Sequence, residues 1–245
     1  MTQAHPGQLV AESPDSFARK CSAWGVHLLT ATGAVAGLMA LIAIADHRWL
    51  PAFAWMGLTL AIDSVDGSLA RACSVKQVLP YFNGELLDNI VDYFNYVIVP
   101  AFFLYEAPLV PEGYRLVSAA LITVASGYQF CQTDAKTQDH CFKGFPSYWN
   151  VVVFYLFMLP FPTGLNLTIV LMLAIAVFIP TKYLYPSRTP TFRFPTLALT
   201  TAWGILMLAV LLRYPQAHEV PLYLSLLYVA YYAAMSAYLT FRERA

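Results

Sequence analysis

The sequence predicts an all-α polytopic membrane protein of about eight transmembrane helices, and three observations carry that reading. First, 59% of the 245 residues are hydrophobic and only 11% are charged, whereas a soluble domain carries roughly 25% charged residues. With a mean hydropathy of +0.57, the chain has too few polar side chains to solvate a globular surface. Second, eight apolar segments can be drawn at roughly 20 residues per crossing. Third, the 14 Lys and Arg residues sort by side. With the N-terminus in the cytoplasm, only Arg48, Arg115 and Arg213 fall on the far side, as the positive-inside rule requires.

In chain order the segments cover 24–45, 50–72, 84–107, 114–133, 147–161, 165–181, 195–213 and 220–240. The fifth and sixth are separated only by Pro160, Phe161, Pro162, Thr163 and Gly164. One span over 147–181 would be too long for a single crossing, so two helices joined by a Pro/Gly turn fit better. Ahead of the first span, the polar segment 1–22 lacks the basic-then-apolar build of a signal peptide. Its end, 13–24, carries Phe17, Cys21 and Trp24 on one flank and Arg19 and Lys20 on another, which predicts an amphipathic interfacial helix. Gly33 and Gly37 form a small-xxx-small pair for helix packing. Trp49, Tyr114, Tyr148, Trp149, Tyr183, Tyr185 and Tyr214 sit at span ends as interfacial anchors. No 20–50-residue repeat is evident, and residues 1–245 read as one domain. The cysteines Cys21, Cys73, Cys131 and Cys141 show no paired ligand spacing and read as free thiols. Equal numbers of acidic and basic residues, 14 of each, leave no basic field for nucleic acid.

Carboxylates are costly in a membrane and mark function by default. Asp63, Asp66, Glu85, Asp88 and Asp92 are five of the 14 acidic residues, packed into 30 positions. Asp63 and Asp66 are three apart at the end of the second span; Asp88 and Asp92 are four apart just inside the third. Each spacing places its pair on one helix face, and the intervening loop makes the two helices antiparallel neighbours. Four carboxylates then converge near the cytoplasmic boundary. Arg71 alone cannot neutralise them, so divalent cations are the natural partners, and an all-oxygen set favours Mg²⁺ or Mn²⁺. Two such ions could bind a diphosphate and polarise the phosphorus under attack. Gly67 and Ala70 open the helix surface beside Asp66, Gly84 lets the next helix approach, and Arg71 can donate to phosphate. The alternative, salt-bridged helix ends in a transporter or channel, accounts poorly for this combination.

Asp63, Asp66, Gly67, Ala70 and Arg71, followed by Gly84, Asp88 and Asp92, fill every position of the signature DxxDGxxAR…GxxxDxxxD. In this the chain resembles the CDP-alcohol phosphotransferase family. The spacer 72–83 holds 12 residues, longer than in most of that family. The long spacer, the stretches 75–84 and 144–150, and the eight-span count are similar to its bacterial choline-using branch. The resemblance covers about 24–195.

It implies an enzyme that transfers the phosphatidyl group of CDP-diacylglycerol to choline, with release of CMP. Asp63, Asp66, Asp88 and Asp92 would bind two Mn²⁺ or Mg²⁺ ions, and Asp92 would also be the general base. Gly67, Ala70, Arg71 and Gly84 would line the CDP pocket with Thr30, although His27 stands where Asn is common. Choline needs aromatic faces, and the candidates are Tyr93, Tyr96, Tyr128, Tyr148, Trp149 and Asn150. Asp134, Lys136 and Asp139 read as solvated loop charges. The resemblance further implies a homodimer in the bacterial inner membrane, in contact with membrane lipid, with both termini and the site cytoplasmic. Runner-up acceptors are serine, inositol phosphate and glycerol phosphate; Lys182, Arg188 and Arg193 in loop 181–194 favour the phosphorylated ones. An intramembrane prenyltransferase would lack the Gly67, Ala70, Arg71 element, and a transporter would show broken helices or repeats.

Overall fold

The computed structural model describes residues 14–137 and 139–242. It is an all-α membrane protein whose helices follow the apolar segments closely. In order they are α1 (Pro14–Ala45), α2 (Trp49–Ala72), the single turn α3 (Val75–Val78), α4 (Gly84–Tyr93), α5 (Val99–Glu106), α6 (Arg115–Cys131), α7 (Trp149–Met158), α8 (Thr163–Ala176), α9 (Arg193–Arg213) and α10 (Glu219–Arg242). A π-helical turn, Phe94–Ile98, joins α4 to α5 without a break. Three helices, over Ser16–Ala45, Arg193–Arg213 and Glu219–Arg242, are long and apolar enough to cross a membrane. At 1.5 Å per residue, the 21 residues of α9 reach about 30 Å, the thickness of the hydrocarbon core. The fifth and sixth segments form two short apolar helices, α7 and α8, broken where Pro160 and Pro162 were expected to break them.

The outside of the molecule is apolar. Leu28, Leu116, Val124, Leu212 and Leu227 are all more than half exposed, the inverse of a water-soluble surface and the natural face toward lipid. The segment expected to lie along the interface is helical but continuous with the first span, since α1 runs unbroken from Pro14. Residues 1–13, most of the polar N-terminal segment, lie outside the described residues. Phe17 and Trp24 are exposed on α1.

At the end of the bundle away from the acidic motif, aromatic rings fill the core. Phe53 of α2 meets Phe103 of α5 at 4.7 Å between centroids, and Phe154 and Phe157 of α7 at 5.2 and 5.3 Å. Gly33 and Gly37 work as the sequence suggested. A Cβ on Gly33 would lie 3.0 Å from Val91 Cγ1, and one on Gly37 would collide with Asn95 and Phe94. The close approach lets Asn95 Nδ2 donate to the Gly33 carbonyl at 3.1 Å.

One element escaped the sequence reading. Strands β1 (Cys141–Lys143) and β2 (Lys182–Leu184) pair antiparallel, with Cys141 opposite Leu184 and Lys143 opposite Lys182. This ribbon bridges the loops after α6 and α8. It is tied to α10, where the Thr240 hydroxyl accepts from Lys182 N at 2.8 Å and Ser236 from Leu184 N at 3.2 Å. Gln129 of α6 donates to the Lys143 carbonyl at 2.9 Å. Gly144 takes a positive φ of 78°, and a Cβ there would run into the Val177 carbonyl. Asp134 pairs with Lys143, and Asp139 with Lys182 at 2.8 Å. The Lys143 ammonium holds the Asp134 carboxyl below its ordinary range. Burial pushes Asp139 up, but hydrogen bonds from Lys182 and Thr137 outweigh it and leave that carboxyl lowered as well. All four cysteines are free, with Cys141 buried and Cys21 and Cys131 exposed.

Candidate active site

Asp63 and Asp66 sit in the last turns of α2, Asp88 and Asp92 in α4. The helix carrying the second pair starts at Asn83, whose side chain caps it by accepting from Leu86 N at 3.0 Å. Its π turn has a clear local cause. Pro100 has no N–H for the carbonyl of Tyr96, and just before it the ladder slips so that Val99 N bonds to the Phe94 carbonyl. In an α-helix each four-residue step overshoots a full turn by about 40°. The wider turn offsets that drift, so Tyr96 stays on the face of Asp88 and Asp92.

The result is a compact acidic centre. Carboxylate oxygens of Asp63, Asp88 and Asp92 all lie within 4.8 Å of one another. Among the described residues, none of the three forms an ion pair with Lys or Arg. Two hydroxyls orient the α2 carboxylates instead. Tyr96 donates to Asp63 Oδ2 at 2.7 Å, and Thr30 of α1 donates to Asp66 Oδ2 at 2.8 Å. Asp66 is buried and stands beside the trio, close enough for its charge to bear on Asp63 and Asp88. Three half-buried, unpaired carboxylates repel unless a cation joins them, so the donor set fits a hard divalent ion.

Above this centre lies a cavity of about 1710 Å³. Asp63, Asp66 and Asp88 line it with Gly67, Ala70, Arg71 and Gly84; Asp92 completes the trio but does not line the cavity. Beside Gly67 a Cβ would meet only Arg71 Nη1 at 3.4 Å, so that helix face is open. Gly84 is different, because the space beside it is taken by the His27 imidazole, which a Cβ would strike. His27 is buried against Phe82 at 4.5 Å, with Nε2 unpartnered. The lining also has an apolar part, which includes Val152, Leu156, Leu173, Leu226 and Val229.

The aromatic candidates divide. Tyr96 and Tyr148 line the cavity with ring centroids 6.1 Å apart. The other four lie off it. Tyr93 donates to the Thr123 carbonyl at 2.9 Å and packs on Phe130. Tyr128 is exposed and packs on Phe178. Trp149, read also as an interfacial anchor, is fully buried and donates to Ser126 at 2.8 Å. Asn150 is buried and accepts from Val151 N. The cavity wall instead recruits Tyr183 and Tyr185, read from sequence only as anchors, together with Tyr232 and Trp203. Lys136, read as a solvated charge, also lines it. None of these carried a local signal, because the ribbon that delivers most of them joins loops about forty residues apart.

No protein-family model matches the chain. Curated relatives do. A phosphatidylcholine synthase of Legionella pneumophila is 43% identical over 227 residues, covering 90% of this chain and 89% of its own length. One of Pseudomonas aeruginosa is 38% identical over 226 residues, covering 91% and 94%. One of Legionella bozemanae is 40% identical over 212 residues, covering 84% and 98%.

Proposed function

The chain belongs to the phosphatidylcholine synthase family, and from that premise we propose how its residues divide the reaction. The enzyme moves the phosphatidyl group of CDP-diacylglycerol to choline: the choline oxygen bonds to the lipid-bearing phosphorus, the bond to CMP breaks, and phosphatidylcholine and CMP leave. One observation carries this reading. A single cavity is lined by carboxylates, tyrosine rings and aliphatic side chains together, which matches a donor with a charged headgroup and acyl tails.

Asp63, Asp66, Asp88 and Asp92 are the proposed ligands of two divalent ions, Mn²⁺ or Mg²⁺. Bound there, such ions would offset the diphosphate charge and polarise the phosphorus. The Tyr96 and Thr30 hydroxyls fix the rotamers of Asp63 and Asp66, so those oxygens are pre-aimed. Arg71 donates to the phosphates, and the open face at Gly67 and Ala70 admits them. Tyr96 and Tyr148, with Tyr183 in the same cavity wall, offer faces to the quaternary ammonium. Asp92 is the proposed base for the choline hydroxyl proton. Asp88 is a second candidate, because it lines the cavity and Asp92 does not. Loss of the base lowers kcat at saturating metal, whereas loss of a ligand raises the metal concentration needed; Asp88→Asn and Asp92→Asn therefore tell the two apart.

We assign eight spans in the bacterial inner membrane, with both termini and the site cytoplasmic, where the CDP headgroup and choline arrive from water; the chain works as one domain and as a homodimer. The test is purified protein in detergent with CDP-diacylglycerol, Mn²⁺ or Mg²⁺, and choline or serine in turn. Choline-dependent CMP release is expected. Release with serine alone would overturn the acceptor, and none with any alcohol would overturn the reaction.

A further inference from the structure

The ribbon carries three lysines in two different states. Lys143 is paired with Asp134 and Lys182 with Asp139, so both are fastened to their own loops. Lys136 bridges to Phe142 through its backbone, yet its side chain has no acidic partner on the ribbon. It is exposed at the cavity wall, and its charge bears on Asp63, Asp88 and Asp92.

Arg188 is placed in the same manner from the other strand. It follows β2, lines the cavity and lies over the Tyr185 ring, with Cζ 5.9 Å from the centroid. Tyr185 itself stacks on Phe142 at 4.6 Å. The turn that holds Arg188 is locked to the Lys136 loop, because the Thr189 hydroxyl donates to the His140 carbonyl at 2.8 Å and accepts from Tyr185 N at 2.9 Å. Two cations with no acidic partner among the described residues are thus held at one cavity by a rigid ribbon, and Arg71 reaches the same cavity from α2. A cation left unpaired beside an acidic centre is a poor host for choline and a good one for an anion brought to that centre.

We propose that Lys136 and Arg188 form the ribbon half of a diphosphate-binding site, with Arg71 supplying the half on α2, that grips the nucleoside diphosphate of the donor. The assignment rests on the reaction given above. It makes the ribbon a working part of the enzyme, one that stabilises the leaving CMP as negative charge moves onto its phosphate.

The experiment measures binding of CDP alone to the purified full chain in detergent with Mn²⁺, by calorimetry. Lys136→Gln and Arg188→Gln are each expected to weaken CDP binding about ten- to hundredfold, as losing a hydrogen bond to a charged group does, and Lys136→Arg to restore most of it. Lys143→Gln removes the same charge from the same ribbon but away from this cavity, and is expected to leave CDP binding within about twofold. Unchanged Mn²⁺ binding and melting temperature show that the acidic centre and the fold survive. CDP binding equal to wild type in both Gln variants overturns the proposal and leaves the reaction standing. So does weakened binding of glycerol 3-phosphate with CDP binding intact, since the cations would then serve a phosphorylated acceptor. A wild-type chain that does not bind CDP overturns the reaction as well.

Discussion

Thr30 and Tyr96 each aim one motif carboxylate through a single hydroxyl, and both act from outside the signature. Tyr96→Phe keeps the ring and removes the bond to Asp63. We expect the Mn²⁺ concentration for half-maximal binding to rise about three- to tenfold, while the KM for choline changes less than about twofold because the ring face remains. Manganese titration by electron paramagnetic resonance and steady-state kinetics check the two halves. Gly84 gives a second prediction. The His27 ring occupies the space where a Cβ would stand, so Gly84→Ala overpacks that contact and lowers the melting temperature by about 3–8 °C. Adding His27→Ala to Gly84→Ala recovers at least half of the loss. No recovery would mean that the glycine serves backbone conformation or ligand approach instead.

At the scale of elements, the π turn and the ribbon set the geometry that the motif alone does not. The π turn keeps Tyr96 in line with Asp88 and Asp92, and the ribbon holds Lys136 and Arg188 at the cavity. The ion pair of Asp139 with Lys182 fastens that ribbon, and the Asp139 carboxyl is held below its ordinary value of 3.8. A carboxyl lowered in the folded state stabilises at pH above the unfolded value and loses that contribution as pH falls through the folded one. Asp139→Asn should therefore lower the melting temperature by about 1–3 °C at pH 7, with the gap closing below about pH 3.8. Thermal scans at about pH 7, 4.5 and 2 measure it. A gap that persists at the lowest pH would assign the effect to packing.

For the whole molecule, the two ends of the bundle are built differently. The end away from the motif is closed by phenylalanines in tilted and edge-on contact, and the motif end opens into a cavity lined by both carboxylates and aliphatic side chains. Cys21, early in α1, and Cys131, at the end of α6, are exposed, and the proposed eight-span arrangement would put both on the cytoplasmic side. A membrane-impermeant maleimide should label neither in intact cells and both in inverted vesicles. The fully buried Cys141 should react only after denaturation. Labelling of Cys131 from outside, with Cys21 protected, would break the span count.

Composition and apolar run length determined the all-α membrane character, because lipid tolerates few charges and asks for helices of defined length. The acidic motif was legible for a similar reason: its ligands lie on two adjacent helices at spacings that fix their faces, so Asp63, Asp88 and Asp92 could be brought together on paper. Only the tertiary structure separated Tyr96 and Tyr148 from Tyr128 and Trp149, since aromatic residues at span ends look alike until their neighbours are known. The same holds for Lys136 and Arg188. Their place at the cavity depends on a strand pairing between distant loops, and no local pattern of charge or hydrophobicity encodes it.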